Sequence, residues 1–268
     1  MPTLENDGAK LYYEISGSGD PMVLIHGSWV DRYEWPFVLP PLAESYRVLI
    51  YDRRGHTDST APEGPDSIND DISDLAAMIE EVGAPAHVVA SSFGSSISLN
   101  LAARSPDLFR SLCAHEPPLF DLLAASDETR PVYEQVGVGV QAVEELIAGG
   151  RNEDAARTFV NEVALGPGFW DFIPEEDRRR IIANAPTFLN ERRDPDSLKL
   201  DPSVARFDKP ALLTNGDQSP PPFALTIGKL KEVFPTAEYR TMPGWGHVPH
   251  VTHHQEYVEM VKAFADSS

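Results

Sequence analysis

The amino-acid sequence predicts an α/β fold, in which a doubly wound, mostly parallel sheet carries an inserted helical lid. Short apolar runs of strand length alternate with helical patterns in the first part of the chain, and this alternation is typical of parallel sheets. From residue 117 to residue 207 only helical patterns occur, after which strands return. We therefore expect a core formed by residues 1–116 and 208–268 and a lid formed by residues 117–207.

The first part of the chain contains most of the predicted strands. An Asn-Asp-Gly turn signal at residues 6–8 separates two strand-like runs, which predicts an opening hairpin. The first long helix has two candidate N-caps, Asp66 and Ser67, and Gly83 is expected to end it. The strands expected here cover residues 3–5, 11–15, 22–25, 47–51, 87–89 and 111–114, and the helices cover residues 68–82 and 94–103.

Helical patterns fill the predicted lid, and the alternation resumes after it. A glycine pair at residues 149–150 ends one of the lid helices. The last helix of the chain is amphipathic, because Tyr257, Val258, Val261 and Phe264 share one face. Lid helices are expected at residues 140–147, 153–163, 175–183 and 187–190, with strands at 211–213 and 238–242 and a helix at 223–234 in the second part of the core.

Composition and charge exclude several classes of partner. The 268 residues include 22 Lys and Arg against 42 Asp and Glu, for a net charge of -20. Such a surface repels phosphate backbones and anionic lipids, so we expect a small-molecule substrate and no nucleic-acid or membrane partner. We find neither a signal-peptide pattern nor an apolar run of 18 residues, and Cys113 is the single cysteine, which together fit a cytoplasmic protein. Nothing in the sequence indicates an oligomer.

The strongest chemical signal is the segment Val-Val-Ala-Ser-Ser-Phe-Gly-Ser at residues 88–95. A serine on the sharp turn between a strand and a helix projects its hydroxyl at the carboxyl edge of the sheet. Residues two positions before and after it must be small, because strand and helix approach closely there. Ala90 and Gly94 satisfy this requirement around Ser92, whereas the neighbours of Ser91 are bulky. We therefore predict Ser92 as a nucleophile rather than an ordinary capping serine.

A histidine suited to proton transfer follows the last predicted strand. His247 lies in a Gly-Trp-Gly-His-Val-Pro segment at the same edge of the sheet, and its ordinary pKa is near neutrality. We predict that it is the base that activates Ser92. His250 and His254 have a metal-ligand spacing, but Val251 stands where the zinc-protease motif requires Glu, so no metal site is expected.

Several motifs together resemble the α/β-hydrolase superfamily, over nearly the whole chain outside the lid. They are the His-Gly after an early strand, the Asp-Arg-Arg-Gly-His turn, the Ala-Ser-Ser-Phe-Gly turn around Ser92 and the Gly-His near the C-terminus. The resemblance implies the fold of that superfamily and, because Ser92 replaces the Asp of epoxide hydrolases and haloalkane dehalogenases, its serine-nucleophile branch.

Two carboxylates are candidates for the acid that orients the imidazole. In the commonest form of the superfamily the acid follows the penultimate strand in a Gly-x-x-Asp pattern, but here Ser219 stands at that position and Asp217 comes two residues early. Glu116, in a His-Glu-Pro-Pro segment, follows the strand next to that of the nucleophile. The zearalenone lactone hydrolases look similar in this placement. We favour Glu116 and keep Asp217 as the alternative.

Acyl transfer also requires backbone donors for the oxyanion and an apolar pocket. We expect the N–H groups of Phe93 and Ser28 to be the donors, with Gly27 as an alternative to Ser28, and we assign the Ser28 side chain to turn formation. Aromatic residues of a lid more often form its own core than a binding site. The expected pocket residues are Trp29, Phe120 and Trp170, with Phe169, Phe172 and Phe188 as further candidates.

These features predict a serine hydrolase that cleaves a carboxylic ester or lactone of a small, largely apolar molecule through an acyl-enzyme, without a cofactor. The same fold also supports carbon–carbon bond hydrolases, cofactor-free lyases and non-catalytic ligand receptors. These remain alternatives, since a serine, a histidine and a carboxylate occur in several of them.

Overall fold

A computed structural model describes residues 2–64 and 66–268, so that Met1 and Pro65 lie outside the described part of the chain. The strands, numbered in chain order, are β1 (Thr3–Asn6), β2 (Ala9–Ser16), β3 (Asp20–Ile25), β4 (Tyr46–Tyr51), β5 (Ala86–Ser91), β6 (Phe109–His115), β7 (Ala211–Gly216) and β8 (Glu238–Met242).

The eight strands form one sheet in the order β1-β2-β4-β3-β5-β6-β7-β8. β1 and β2 form the predicted antiparallel hairpin, and β2 also pairs antiparallel with β4. All pairings from β4 through β8 are parallel. The predicted fold class, an α/β fold with a mostly parallel sheet, is therefore confirmed.

Helices cover both faces of this sheet. The core helices are α1 (Leu39–Ala43), α2 (Ile68–Val82), α3 (Phe93–Arg104), α8 (Pro221–Val233), α9 (Pro249–Thr252) and α10 (His254–Asp266), and the helices between β6 and β7 are α4 (Asp121–Ala124), α5 (Arg130–Ala148), α6 (Asn152–Thr158) and α7 (Glu175–Arg193).

Side chains alternate between the two faces along each strand, and this creates two buried apolar clusters. Val23 and Ile25 of β3 pack in the cluster that also contains α2, α3 and α8. Met22 and Leu24 point to the opposite cluster, with α1 and α10. The sheet is thus buried on both faces, as the continuous apolar runs of its strands predict.

The start of α2 is capped by Ser67 rather than Asp66. The Ser67 hydroxyl accepts a hydrogen bond from the N–H of Asn69, and the Asp70 carboxylate accepts one from the N–H of Ser67 at 2.9 Å. This reciprocal arrangement satisfies two N–H groups that the helix itself leaves free. Gly83, at φ 114°, ends the helix as expected.

Residues 117–207, as far as they are described, contain helices and loops but no strand. The prediction of two separate helices at 175–183 and 187–190 is wrong, because α7 continues through Pro186. A proline inside a helix costs on the order of 3 kcal/mol, and the apolar side chains of Ala185 and Phe188 are buried on either side of it. α6 ends earlier than expected and continues as a π-helical turn over Phe159–Ala164.

The C-terminal helical region is interrupted near His253, where α9 ends and α10 begins. Tyr257, Val258, Val261 and Phe264 of α10 are buried against the sheet, as the amphipathic pattern predicts. Among the described residues, none of the helices combines the length and the hydropathy that a bilayer span requires.

Candidate active site

The carboxyl ends of four adjacent parallel strands bring the predicted site residues to one edge of the sheet. The loop with Ser28 follows β3, Ser92 follows β5, Glu116 follows β6 and Asp217 follows β7. His247 lies in the loop after β8. Loops at this edge form the ligand-binding crevice of open α/β sheets, so the sequence signals converge where chemistry is expected.

Ser92 lies on a strained turn between β5 and α3. Its backbone has φ 50° and ψ -123°, a region that non-glycine residues rarely adopt and that costs about 1–3 kcal/mol. Gly94, two residues after Ser92, has no room for a side chain. A Cβ at this position would lie 2.6 Å from the carbonyl oxygens of both Ile25 and His26. This turn has the geometry that the sequence motif predicts for an exposed nucleophile.

His247 is joined to Glu116 by a short hydrogen bond between Nδ1 and Oε2, at 2.6 Å. Glu116 is fully buried, and its other oxygen accepts a hydrogen bond from the N–H of Gly216 at 2.8 Å. With both carboxylate oxygens engaged, the side chain has a fixed orientation. The imidazole is therefore held with Nδ1 toward the acid and Nε2 free for another partner.

Glu116 remains ionised at neutral pH in spite of its burial. Burial raises the pKa of the carboxyl group, but the hydrogen bond from His247 and the nearby imidazole of His115 outweigh it, so that the pKa falls to about 2. The hydroxyl of Ser219 also lowers this pKa, although it forms no hydrogen bond of good geometry within the described residues. A carboxylate in this state can stabilise an imidazolium during proton transfer.

Asp217 is exposed and makes hydrogen bonds within its own turn. Its Oδ1 accepts hydrogen bonds from the N–H of Gly244, at 2.8 Å, and from the side chain of Gln218, at 3.0 Å. Within the described residues it makes neither a hydrogen bond nor an ion pair with His247. Asp217 thus closes the turn after β7, as an aspartate beside a proline run often does.

His115, Glu116 and His247 offer ligand atoms within 4.8 Å of one another, which is a spacing that a metal ion could use. Nδ1 of His115 lies 2.9 Å from the Thr214 hydroxyl, and its Nε2 lies 3.3 Å from the Gly246 carbonyl oxygen. Both ring nitrogens of His115 therefore have protein partners. Burial lowers its pKa to about 4, so the ring is neutral near pH 7.

Sequence reasoning missed an aromatic contact to the predicted base. The ring of Phe223 at the start of α8 stacks on His247, with ring centroids 4.2 Å apart and an interplanar angle of 22°. This packing covers one face of the imidazole, while the hydrogen bond to Glu116 engages the ring edge. The apolar helix pattern near residue 223 indicated a buried phenylalanine, but not that it would face the histidine.

The loop after β3 lies directly against the nucleophile. A Cβ on Gly27 would meet Cβ of Ser92 at 3.0 Å and its hydroxyl oxygen at 3.5 Å. The N–H of Gly27 already donates to Glu34 Oε2 at 3.0 Å, which favours Ser28 over Gly27 as the predicted oxyanion donor. The N–H of Ser28 donates no hydrogen bond within the described residues.

Phe93 is the first residue of α3, where the N–H has no partner inside the helix. Phe93 and Ser28 remain the two predicted backbone donors of an oxyanion hole. The Ser28 side chain, by contrast, does not form the local turn that we expected. Its hydroxyl donates to Glu191 of α7 at 2.6 Å, which connects the loop to the helical insertion.

Two cavities, of about 160 and 230 Å³, meet at Ser92 and His247. Of the predicted pocket residues, Phe120 lines the smaller cavity and Trp29 the larger, but Trp170 lines neither. Trp170 is 1% exposed and packs in the apolar core of the helical insertion, where burial of its large side chain stabilises the fold. The further candidates do line the cavities: Phe188 lines the smaller one, and Phe169 and Phe172 line the larger one.

The π-helical turn contributes residues that the sequence pattern did not single out. Phe159 and Ala164 line both cavities, together with Ser28, Ser92 and His247. π-Helical turns often occur at functional sites, because the extra residue changes the direction of the side chains around it. An ordinary helical pattern gives no sign of such a turn.

Known proteins with similar sequences and structures include several hydrolases. The model of the Alpha/beta hydrolase family matches residues 22–260. An uncharacterised hydrolase of Bacillus subtilis is 37% identical over 130 residues, and the chain spans only 47% of that relative's length. A 2-(acetamidomethylene)succinate hydrolase of Mesorhizobium japonicum is 26% identical over 86% of this chain and 82% of that protein.

The crystal structure of an alpha/beta hydrolase from Sphaerobacter thermophilus is similar over 98% of this chain and 99% of that one, with a TM-score of 0.78 and 26% identity. The family match covers most of the sheet, the turn at Ser92 and the loop with His247. The chain belongs to the alpha/beta hydrolase family.

Proposed function

We propose that this hydrolase cleaves a carboxylic ester or lactone of a small, largely apolar molecule through an acyl-enzyme on Ser92. The observation that carries the proposal is the 2.6 Å hydrogen bond from His247 to the buried, ionised Glu116 beside the strained turn at Ser92. A serine needs a neighbouring base to become a nucleophile, and the base needs an orienting acid.

In the proposed mechanism His247 Nε2 takes the proton of the Ser92 hydroxyl as its oxygen attacks the carbonyl carbon. The N–H groups of Phe93 and Ser28 stabilise the resulting oxyanion, and Glu116 stabilises the imidazolium. His247 then protonates the leaving alcohol, which leaves an acyl group on Ser92. A water molecule activated by the same histidine hydrolyses this ester and restores the enzyme.

The two cavities support an apolar substrate with groups on both sides of the scissile bond. The smaller has side chains of Phe120, Val140 and Phe188 in its wall, and the larger has those of Trp29 and Ile181. A cavity of about 150 Å³ lined by apolar side chains is large enough for a benzene ring. We infer that each cavity holds a group of about that size, as in an ester of an aryl-substituted acid with an aryl or branched alcohol.

The test is the release of alcohol from a panel of chromogenic esters and lactones. We expect a burst of product equal to the enzyme concentration, and its loss, with an intact fold, in Ser92→Ala. Esters with a ring on each side of the scissile bond should give kcat/KM values at least tenfold higher than those with a ring on one side.

The same panel distinguishes the alternative functions. A folded wild-type protein that turns over none of these esters or lactones would contradict the proposal and favour carbon–carbon cleavage or a lyase. Tight ligand binding without any turnover would instead favour a receptor.

A further inference from the structure

Helix α7 makes direct polar contacts to the loop that carries Ser28. Glu191 Oε2 accepts the hydrogen bond of the Ser28 hydroxyl at 2.6 Å, and Asn184 Nδ2 donates to the carbonyl oxygens of Trp29 and Val30 at 3.2 and 3.3 Å. Asn184 and Glu191 are two helical turns apart, so their side chains share one face of α7. One helix face therefore holds three consecutive residues of the loop.

The loop is in a conformation that needs this support. Trp29 has φ 72°, a value that is unfavourable for a bulky residue and that persists only when the surroundings fix it. Its indole packs against Phe159 and Phe188, with ring centroids 5.0 and 5.1 Å away. Both aromatic residues belong to the helical insertion, so the insertion supplies the apolar support of the loop as well as the polar support.

A buried guanidinium links Glu191 to both sides of the proposed oxyanion hole. Arg53 donates to Glu191 Oε1 at 2.9 Å and to the carbonyl oxygen of Gly27 at 3.1 Å, and it lies over the ring of Phe93 at 4.8 Å. Arg53 also pairs with Asp71 at 3.0 Å, so it keeps one carboxylate partner if Glu191 is replaced. The contacts of Glu191 thus converge on Ser28 and, through Arg53, on Phe93, which are the two proposed oxyanion donors.

We propose that α7 positions the oxyanion donor Ser28 through Glu191 and Asn184, so that the oxyanion hole is complete only while this helix is docked on the core. The inference rests on the proposed function. Glu191 acts through Ser28 and Arg53 and is a positioning residue. The loop must be held most accurately in the transition state. Loss of the Glu191 side chain should therefore reduce kcat more than it changes KM.

The experiment compares Glu191→Ala, Glu191→Gln and the control Glu144→Ala in Ser92-dependent ester hydrolysis. We expect Glu191→Ala to lower kcat 10- to 100-fold and to change KM less than threefold. This loss of kcat is somewhat smaller than the loss caused by removal of an oxyanion donor itself. Glu191→Gln should recover kcat to within fivefold, because an amide can still accept from Arg53 and contact Ser28. Glu144, which pairs with Arg192 on the same insertion, lies outside the loop contacts and should leave kcat unchanged when replaced.

A second readout separates positioning from a structural role. A trifluoromethyl ketone that forms a tetrahedral adduct with Ser92 should lose affinity for Glu191→Ala by the same factor as kcat/KM, while the melting temperature changes by only a few degrees. If kcat and inhibitor affinity stay at wild-type values in folded Glu191→Ala, or if only KM rises, the inference is wrong. Ser28→Ala removes the same hydrogen bond from the core side and serves if Glu191→Ala does not fold. The absence of Ser92-dependent turnover in the wild type would reject the proposed function before any lid variant is compared.

Discussion

Glu116 and Asp217 are carboxylates that follow neighbouring strands of the same sheet, and their surroundings alone give them different properties. Glu116 is fully buried and hydrogen-bonded to His247, whereas Asp217 is exposed and closes a turn. Glu116 also has φ 48°, a strained value for a residue with a side chain. Strain of this kind is typical of positions where geometry serves a site rather than stability.

Replacement of the two carboxylates by their amides tests this difference. Glu116→Gln keeps the size of the side chain but removes the charge that stabilises the imidazolium, so we expect kcat to fall by about 10³–10⁴. The matched control, Asp217→Asn, should stay within about threefold of the wild type. Both variants are assayed with a chromogenic ester, and circular dichroism checks the fold. A large loss in Asp217→Asn with normal Glu116→Gln activity would overturn the assignment.

At the scale of elements, the strand, turn and helix around Ser92 leave no room for a side chain at Gly94. The close approach of α3 to the end of β3 puts both site loops in contact. By contrast, Gly137 lies in α5, where a Cβ would meet no atom within 4 Å. Packing therefore requires a glycine at position 94, whereas a side chain has room at position 137.

Gly94→Ala and Gly137→Ala should change stability in opposite directions. Gly94→Ala forces the backbones of α3 and β3 apart, and we expect it to lower the free energy of unfolding by about 3 kcal/mol and to lower activity. Gly137→Ala should raise the free energy of unfolding by up to about 1 kcal/mol, because alanine favours a helix more than glycine does. Urea denaturation measures both. Equal effects of the two substitutions would contradict the packing described at Ser92.

At the scale of the whole molecule, three fully buried histidines make stability depend on pH. Burial lowers the pKa of His26, of His56 to about 3 and of His115 to about 4. Each is neutral in the folded protein, while the unfolded chain binds a proton near pH 6.5. The unfolded state therefore takes up more protons as the pH falls, and the stability present above pH 6.5 is lost toward pH 4.

We expect the free energy of unfolding to fall between pH 6.5 and pH 4, by on the order of 3 kcal/mol for His56 and for His115 each. Denaturation in guanidinium chloride at several pH values measures the slope of the free energy of unfolding against pH. His56→Gln should reduce the slope in this range, whereas His254→Gln, which replaces a partly exposed histidine, should leave it unchanged. A slope that is identical in wild type and His56→Gln would show that His56 does not contribute.

The sequence by itself determined the order of strands and helices, the position of the helical insertion and the nucleophile turn, because these depend on local patterns of apolar, small and turn-forming residues. It left the choice between Glu116 and Asp217 open and gave no sign of Glu191. The tertiary structure shows that Glu116 lies against His247 and that Glu191 contacts Ser28, since these contacts join residues 100 to 163 positions apart in the chain and are set by packing. Trp170 shows the same limit: its aromatic side chain suits a pocket or a core equally well, and only its neighbours assign it to the core of the insertion.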